Sequence, residues 1–479
     1  MQKVKIDNWC KREFESVNFA DKRLKERFCK IASSLGRLPE SSINQACGDW
    51  SDVKGAYRFF QNDKVDAKNL LSGHVKSTSA RIMNHKVILA IQDTSYIMYG
   101  KHKKTKGLSL LYKKASKDLE MRGLVMHTSF AVSSEGLALG ILDQNIYTRV
   151  DLPESLQKKK ESSHGNSLAV QDKESIRWLE SMQNTLDATK EYQGTVVTVC
   201  DREGDMYDLY ELASKNGTNF LIRSSRKNRY VNKKSRYSKD GERLYEVIQS
   251  FEKSGDMMLE VPCKDGKRVA KLEVSFGKFT MNPNKNNARH RLEKLQNINI
   301  HAVRVFENNP PDNTEGLEWI LLTNIEVSNF QEALEKIRWY SLRWRIEVFH
   351  KILKSGLNVE KCRLSTADRL MKYLTIMSII AWRIFYTTLI SRSNPDIECT
   401  MILTEIEWKI LYVKVHSKAP DNGYVPSVKE AIKWIAKLGG YLSRKSDPEP
   451  GPIVVWRGWR RLNDLIEGSL IYRNLSTCG

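Results

Sequence analysis

Two apolar runs, each closed by an aspartate, restrict this chain more than any other feature. Val87 to Ile91 lies within KVILAIQD, and Gly194 to Cys200 reads GTVVTVC. Runs this apolar suit strands covered on both faces, which belong to a sheet layered between helices. Asp93 and Asp201 follow them. A carboxylate just past a buried strand commonly stands at the edge of a sheet where ligands bind. Between the two, Leu124 to Val132 and Leu137 to Ile146 predict an antiparallel hairpin around Ser-Ser-Glu-Gly. Lys173 to Leu186 then predicts a helix, and another begins near Tyr207.

A third acid comes from a helix. Tyr340, Arg343, Glu347 and Lys354 are separated by three, four and seven residues. At about 100° per residue they share a stripe roughly 60° wide on one helix spanning Lys336 to Gly356. Ser328 and Gln331 suit a capping box before it, and Gly356 can close it. Two strand-borne acids and one helix-borne acid meeting at one point is the layout of a ribonuclease-H-like sheet. The chain between Asp201 and Glu347 is too long for one crossover, so something is inserted. It looks β-rich: Ala270 to Phe276 and Ile298 to Phe306 alternate, and Trp319 to Val327 is apolar. Arg223, Arg226, Arg229, Lys233, Lys234 and Arg236 make its start basic.

The three carboxylates imply a chemistry. Brought together they repel unless cations neutralise them. Oxygen-only ligation suits Mg²⁺ or Mn²⁺ rather than zinc. Two ions about 4 Å apart could activate a water or a 3′-hydroxyl and stabilise the leaving oxygen of an in-line displacement. No GxSxG or Cys–His signature offers a covalent nucleophile. His127 and His350 read as structural, since the nine histidines form no ligand cluster.

Charge points to the partner. Lys and Arg number 78 against 57 Asp and Glu, a net charge of +21. Such an excess favours nucleic acid first and an anionic membrane second. The N-terminus has no apolar core of a signal peptide. Leu370 to Ile390 is the one span candidate, but Lys372 and Arg383 interrupt it, so a buried helix is expected. The eight cysteines are scattered, as in a reducing cytoplasm. Residues 1–75 read as a helical DNA-binding domain. Lys22, Arg23, Lys25 and Arg27 form a basic face, and KGAYRFF at Lys54 to Phe60 mixes base with aromatic. A basic loop runs from Lys101 to Lys114, and Glu154 to Asn166 is polar and lysine-rich. Helices are expected over Leu403 to Val413 and Val428 to Leu438, within a C-terminal domain starting near residue 391.

The Tyr-x2-Arg-x3-Glu-x6-Lys spacing, with Trp344 beside the arginine and Glu-x-Phe-His-Lys at Glu347 to Lys351, resembles the DDE transposases of the bacterial insertion-sequence-four family. The resemblance covers nearly the whole chain, with the three acids in order. It implies an α/β multidomain protein: an α-helical DNA-binding domain over 1–75, a ribonuclease-H-like catalytic domain over 76–390 with a β-rich insert at about 222–328, and an α-helical dimerisation domain over 391–479. It implies a cytoplasmic, nucleoid-associated homodimer acting on double-stranded DNA, both transposon ends and target, with no membrane partner. Asp93, Asp201 and Glu347 would hold two Mg²⁺ or Mn²⁺ ions. Nicking, hairpin formation, hairpin opening and joining to target would share that site. Tyr340, Arg343 and Lys354 would bind end phosphates, Trp319 would stack a flipped base, and Trp344 would lie near the vacated stack. Arg23, Arg27 and Arg58 fall where the family's DNA-contacting arginines lie, and Arg223 and Lys351 join the DNA contacts. Lys22, Leu24 and Lys25 depart from the pattern of that family's well-matched members. The alternatives are a ribonuclease-H-fold nuclease without strand transfer and a DNA-binding inhibitor of transposition.

Overall fold

The computed structural model describes residues 8–100, 102, 104–114, 119–149, 174–233, 240–263, 266–284, 287–311 and 316–476. The expectations for Lys101, Lys103, Glu154 to Asn166, Lys234 and Arg236 lie outside them.

The N-terminal region is helical, as its periodicity requires: α1 (Asn8–Glu13), α2 (Lys22–Arg37), α3 (Ile43–Cys47), α4 (Trp50–Gln61) and α5 (Ala67–Ile82). From α2 onward a side chain caps each start. Asp21 accepts from the Arg23 amide, Ser42 from Gln45, Asp49 from Ser51 and Asp66 from Asn69. These bonds satisfy amides that have no partner within the helix. Phe14, Phe28, Phe59 and Phe60 form the centre of this bundle, all buried.

A ten-stranded sheet follows. Its strands are β1 (Val87–Met98), β2 (Ser109–Lys114), β3 (Leu119–Ser133), β4 (Ala138–Tyr147), β5 (Thr195–Cys200), β6 (Asn219–Arg223), β7 (Lys253–Cys263), β8 (Gly266–Met281), β9 (Ile298–Phe306) and β10 (Glu318–Thr323). Their order is β2-β3-β1-β5-β6-β10-β9-β8-β7, with β4 also on β3. β1 runs antiparallel to β3 and parallel to β5, which is parallel to β6. Helix α6 (Ile176–Ala188) precedes β5, and α7 (Tyr207–Lys215) makes the crossover that the parallel pair β5–β6 needs.

The β-rich stretch expected as an insert continues this sheet. β10 pairs antiparallel with β6, Leu322 opposite Ile222. The outer edge of β6 would otherwise expose unpaired amides, and the apolar residues Ile320 to Leu322 are covered once paired there. A small ribbon, Tyr230–Val231 with Glu242–Arg243, stands apart.

Side chains alternate across the strands and divide the core in two. Val197, Val199 and Leu221 face one cluster, which α8 (Phe330–Ser341), α9 (Trp344–Lys351) and α10 (Ala367–Ser393) share. Cys200, Phe220 and Ile222 face the other, with Trp178 and Met182 of α6 and Leu209 and Tyr210 of α7.

The single helix expected over Lys336 to Gly356 is three pieces. α8 ends at Ser341, α9 spans Trp344–Lys351, and Ile352–Gly356 is a π-turn. Around the break the amides reach back three residues, Arg343 to Tyr340 and Arg345 to Leu342, a local tightening. The cap also lies one residue later than the capping box predicted. Asn329 accepts from the Glu332 amide, and Glu332 accepts from the Ser328 amide.

Among the described residues helix α10 is the one long and apolar enough to cross a membrane, but it is buried inside the protein. Its Lys372 is neutralised by Asp368 at 2.7 Å and donates to the Phe60 and Asn62 carbonyls. The interrupting lysine therefore ties the N-terminal bundle to the core. Beyond it come α11 (Glu405–His416), α12 (Val428–Leu438) and α13 (Pro452–Ser476). A Cβ at Gly458 would sit 1.6 Å from the Ile435 carbonyl oxygen, so only glycine lets α12 and α13 approach this closely.

Candidate functional site

Asp93, Asp201 and Glu347 arrive at one place from β1, the end of β5 and the first turn of α9. Asp201 directly follows its strand, as expected, and its carboxylate accepts the Glu203 amide at 2.8 Å, capping a short 3-10 turn. Asp93 does not end its strand. β1 continues to Met98, and Asp93 pairs with Thr128 of β3. The polar residues Asp93, Thr94 and Ser95 ended the apolar run in the sequence, but β3 supplies hydrogen bonds along the whole length.

Arg343 joins the acids. Its guanidinium donates to the Glu347 carboxylate and lies 4.0 Å from Asp93. It has a second neighbour in Tyr340, buried one turn earlier. Arg223, at the end of β6, faces the same phenol. Trp319 of β10 is half-buried and meets the Tyr340 ring edge-on at 5.5 Å. Tyr340, Arg343 and Glu347 of the expected stripe thus meet although their helix is broken.

Lys354 holds the π-turn to the sheet. Its ammonium donates to the Tyr96 carbonyl of β1 at 2.9 Å. Trp344 and Lys351 are exposed on α9, Trp344 at 62%.

His350 was not legible as part of the site. Its Nδ1 lies 3.4 Å from the second Asp93 oxygen, and its buried Nε2 makes no hydrogen bond among the described residues. With no histidine ligand cluster in the sequence, it reads there as structural.

Electrostatics follow from this crowding. Burial pushes the Asp201 carboxyl above its ordinary pKa; Asp93 and Glu203 add to the rise, while the Glu203 amide and Arg343 oppose it. Burial disfavours charge on Arg343, yet Tyr340, Glu347 and Asp93 outweigh it and strengthen its hold on its proton. Burial likewise raises the Tyr340 phenol, against Arg343 and Arg223. The site is a set of acids whose mutual repulsion is presently relieved by one guanidinium. Among the described residues no three Asp, Glu, His or Cys side chains lie close enough to hold a metal ion. The donor set is nonetheless the oxygen-rich one that hard divalent cations take.

In the N-terminal bundle, Arg23 is exposed beside Asp21, and Arg58 is exposed on the last turn of α4. Arg27 is committed elsewhere: it pairs with Asp52 at 2.8 Å and lies against Gly55, bridging α2 and α4.

Three family models match parts of the chain. Residues 6–65 match a transposase DNA-binding domain, 178–383 a transposase DDE domain, and 379–479 a transposase Tn5 dimerisation domain. The chain belongs to the Tn5-type DDE transposases. The DDE match covers Asp201 and Glu347 of this transposase but begins after Asp93, so the place of Asp93 rests on the geometry above.

Proposed function

We propose that this transposase binds the terminal inverted repeats of its transposon, cuts them by hydrolysis and hairpin formation, and joins the freed 3′ ends to target DNA. The observation that carries this reading is the convergence of Asp93, Asp201 and Glu347 on the Arg343 guanidinium. The strand order β4-β3-β1-β5-β6 supports a ribonuclease-H-like core for the site.

Asp93, Asp201 and Glu347 would hold two divalent ions, Mg²⁺ or Mn²⁺, with Arg343 displaced toward a DNA phosphate. Such ions supply an activated water or 3′-hydroxyl and shield the leaving oxygen. The chain's own groups do the rest. Arg343, Tyr340 and Lys354 orient end phosphates, Arg343 and Arg223 contributing the fork geometry that suits them. Trp319 offers a ring face to a base displaced during hairpin closure, and Trp344, exposed on α9, would fill the vacated stack. Lys351, Arg23 and Arg58 add phosphate contacts, while Arg27 holds α4 in place for them. The dimerisation match supports two copies acting together on a pair of ends.

Asp93→Asn, Asp201→Asn and Glu347→Gln should each abolish cleavage while leaving end binding largely intact. Each removes a ligand charge and no basic contact. Normal Mg²⁺-dependent nicking by any of the three, in an assay on end DNA, refutes the site.

A further inference from the structure

A cavity of about 630 Å³ opens beside Asp201 on the sheet face opposite α8 and α9. Its walls come from the start of α6, the turn after β5, the start of α7 and the segments around Ser225 and Asn287. None of Tyr340, Arg223 or Trp319 lines it, although burial lowers the Arg223 pKa and the cavity's Arg202 is near enough to add to that lowering. Its size lies within the range of sites that enclose nucleotide-sized ligands.

The charges in its wall are unevenly satisfied. Four carboxylates line it, and each already has a cation. Glu174 pairs with Arg149, Glu203 with Arg177 at 2.9 Å, Asp205 with Arg229, and Asp208 with Arg289 and His290. Two further arginines, Arg202 and Arg226, stand exposed at its rim. Neither guanidinium makes an ion pair among the described residues. The lining acids are therefore all paired, although Arg289 is shared with Glu211 and Glu293, and Arg202 and Arg226 are the exposed cations left to whatever enters. Asn284, exposed, and Ser225 add neutral hydrogen-bonding groups at the same rim.

The position selects the ligand. Arg202 is the residue after Asp201, so an anion at the rim lies next to a phosphodiester held by the acids. The Arg343, Tyr340, Arg223 and Trp319 group proposed above for the transposon end lies outside the cavity. A strand passing through the reacting phosphate must leave on the other side. We propose that this cavity receives the DNA backbone beyond the scissile phosphate, with Arg202 and Arg226 as its phosphate contacts. Two DNA segments share that chemistry: donor DNA flanking the end before cleavage, and target DNA at joining. The inference rests on the transposase reading of the acid site.

The test uses the full-length protein with Arg226→Glu and Arg226→Lys, an exposed position where neither change threatens folding. Three probes are compared: an end fragment from the DNA bordering the gene, trimmed at its terminus; the same fragment extended by flanking duplex; and a supercoiled plasmid lacking ends, offered as target to complexes on trimmed ends. Arg226→Glu should bind the trimmed end as the unaltered protein does. It should lose about tenfold in affinity for the extended fragment relative to the trimmed one, or in plasmid joining, with a salt slope shallower by roughly one. Arg226→Lys should restore most of the loss. A deficit confined to the extended fragment identifies flanking DNA; a deficit confined to joining identifies target. Equal behaviour of Arg226→Glu and the unaltered protein on all probes overturns the proposal. So does a parallel loss on the trimmed end, which would place the cavity in end binding. Failure of the unaltered protein to bind any end fragment would instead refute the transposase reading.

Discussion

Arg343 shows how one residue can be legible in kind but not in position. Its spacing from Tyr340 and Glu347 marked a phosphate-seeking group beside an acid, and the structure places it there, in contact with Glu347 and near Asp93. What no spacing could show is that it reaches across to a carboxylate on β1, a contact made only by the fold. His350 is the same lesson in reverse. It lies 3.4 Å from Asp93 and positions that carboxylate by contact. His350→Ala should therefore weaken Mn²⁺ binding by the DNA-bound protein about tenfold, measured by titration, with end-DNA affinity unchanged; equal Mn²⁺ affinity would leave His350 a packing residue. Trp319 is half-buried against Tyr340, which leaves ring surface for a base. Losing a stacking platform removes roughly 1–3 kcal/mol, or about one to two decades in rate. Trp319→Ala should nick ends at near-normal rates but accumulate nicked product, with hairpin scarce. An abasic or mismatched nucleotide at the displaced position should partly rescue it by lowering the unstacking cost. Parallel loss of both steps would show Trp319 to be core.

At the scale of elements, apolar runs and helical periods were read well, while boundaries set by hydrogen bonds between distant segments were not. The hairpin β3–β4, the strand β5, the helices α6, α10 and α12 and the strand β9 all stand where the pattern put them. β1 outlasted its apolar run because β3 pairs with it, and the insert merged into the sheet because β6 offered an edge. The break between α8 and α9 had no glycine or proline to announce it. The π-turn after α9 had a signal that was read differently. Lys354 counted as a phosphate contact, yet its ammonium is anchored to the Tyr96 carbonyl three residues beyond Asp93. The two roles separate by comparison with exposed Lys351. Lys354→Ala should lower the melting temperature through loss of a charge-assisted bond, about 1.5–3 kcal/mol, as well as weaken end binding. Lys351→Ala should weaken end binding alone, without a change in melting. Equal melting of the two variants would return Lys354 to a purely DNA-facing role.

At the scale of the whole molecule, the N-terminal bundle must be held to the catalytic sheet if end binding is to position the end at the acids. One buried cluster does much of this. Glu13 of α1 accepts from both Nη atoms of Arg81 on α5, at 2.9 and 3.0 Å, and from His74 Nδ1. The other imidazole nitrogen accepts the Ile141 amide of β4, and Arg81 lies over the Trp382 ring of α10. Because Nε2 accepts, Nδ1 carries the proton and His74 is neutral at pH 7, consistent with burial lowering its pKa. Arg81 is then the charge partner of Glu13. Burial opposes ionisation of Glu13, but the hydrogen bonds from His74 and Arg81 and the Arg81 charge outweigh it and hold its pKa below the ordinary carboxylate range. A carboxylate with a folded pKa below its unfolded value stabilises fully above about 4.5 and loses that contribution as pH falls through its lowered folded pKa. His74, held neutral, acts in the same direction, since acid charges it more readily in the unfolded chain. Acidification should therefore loosen the bundle from the sheet as Glu13 takes up a proton below about pH 4.5. Glu13→Gln leaves the Arg81 charge buried without its partner and should cost about 3 kcal/mol at pH 7. The decisive measurement is the melting temperature of both proteins at pH 7 and pH 3. The gap between them should be wide at pH 7 and narrow at pH 3, because the unaltered protein has by then begun to lose what the variant lacks throughout. A gap that does not narrow on acidification would show that Glu13 acts by packing and not by its charge.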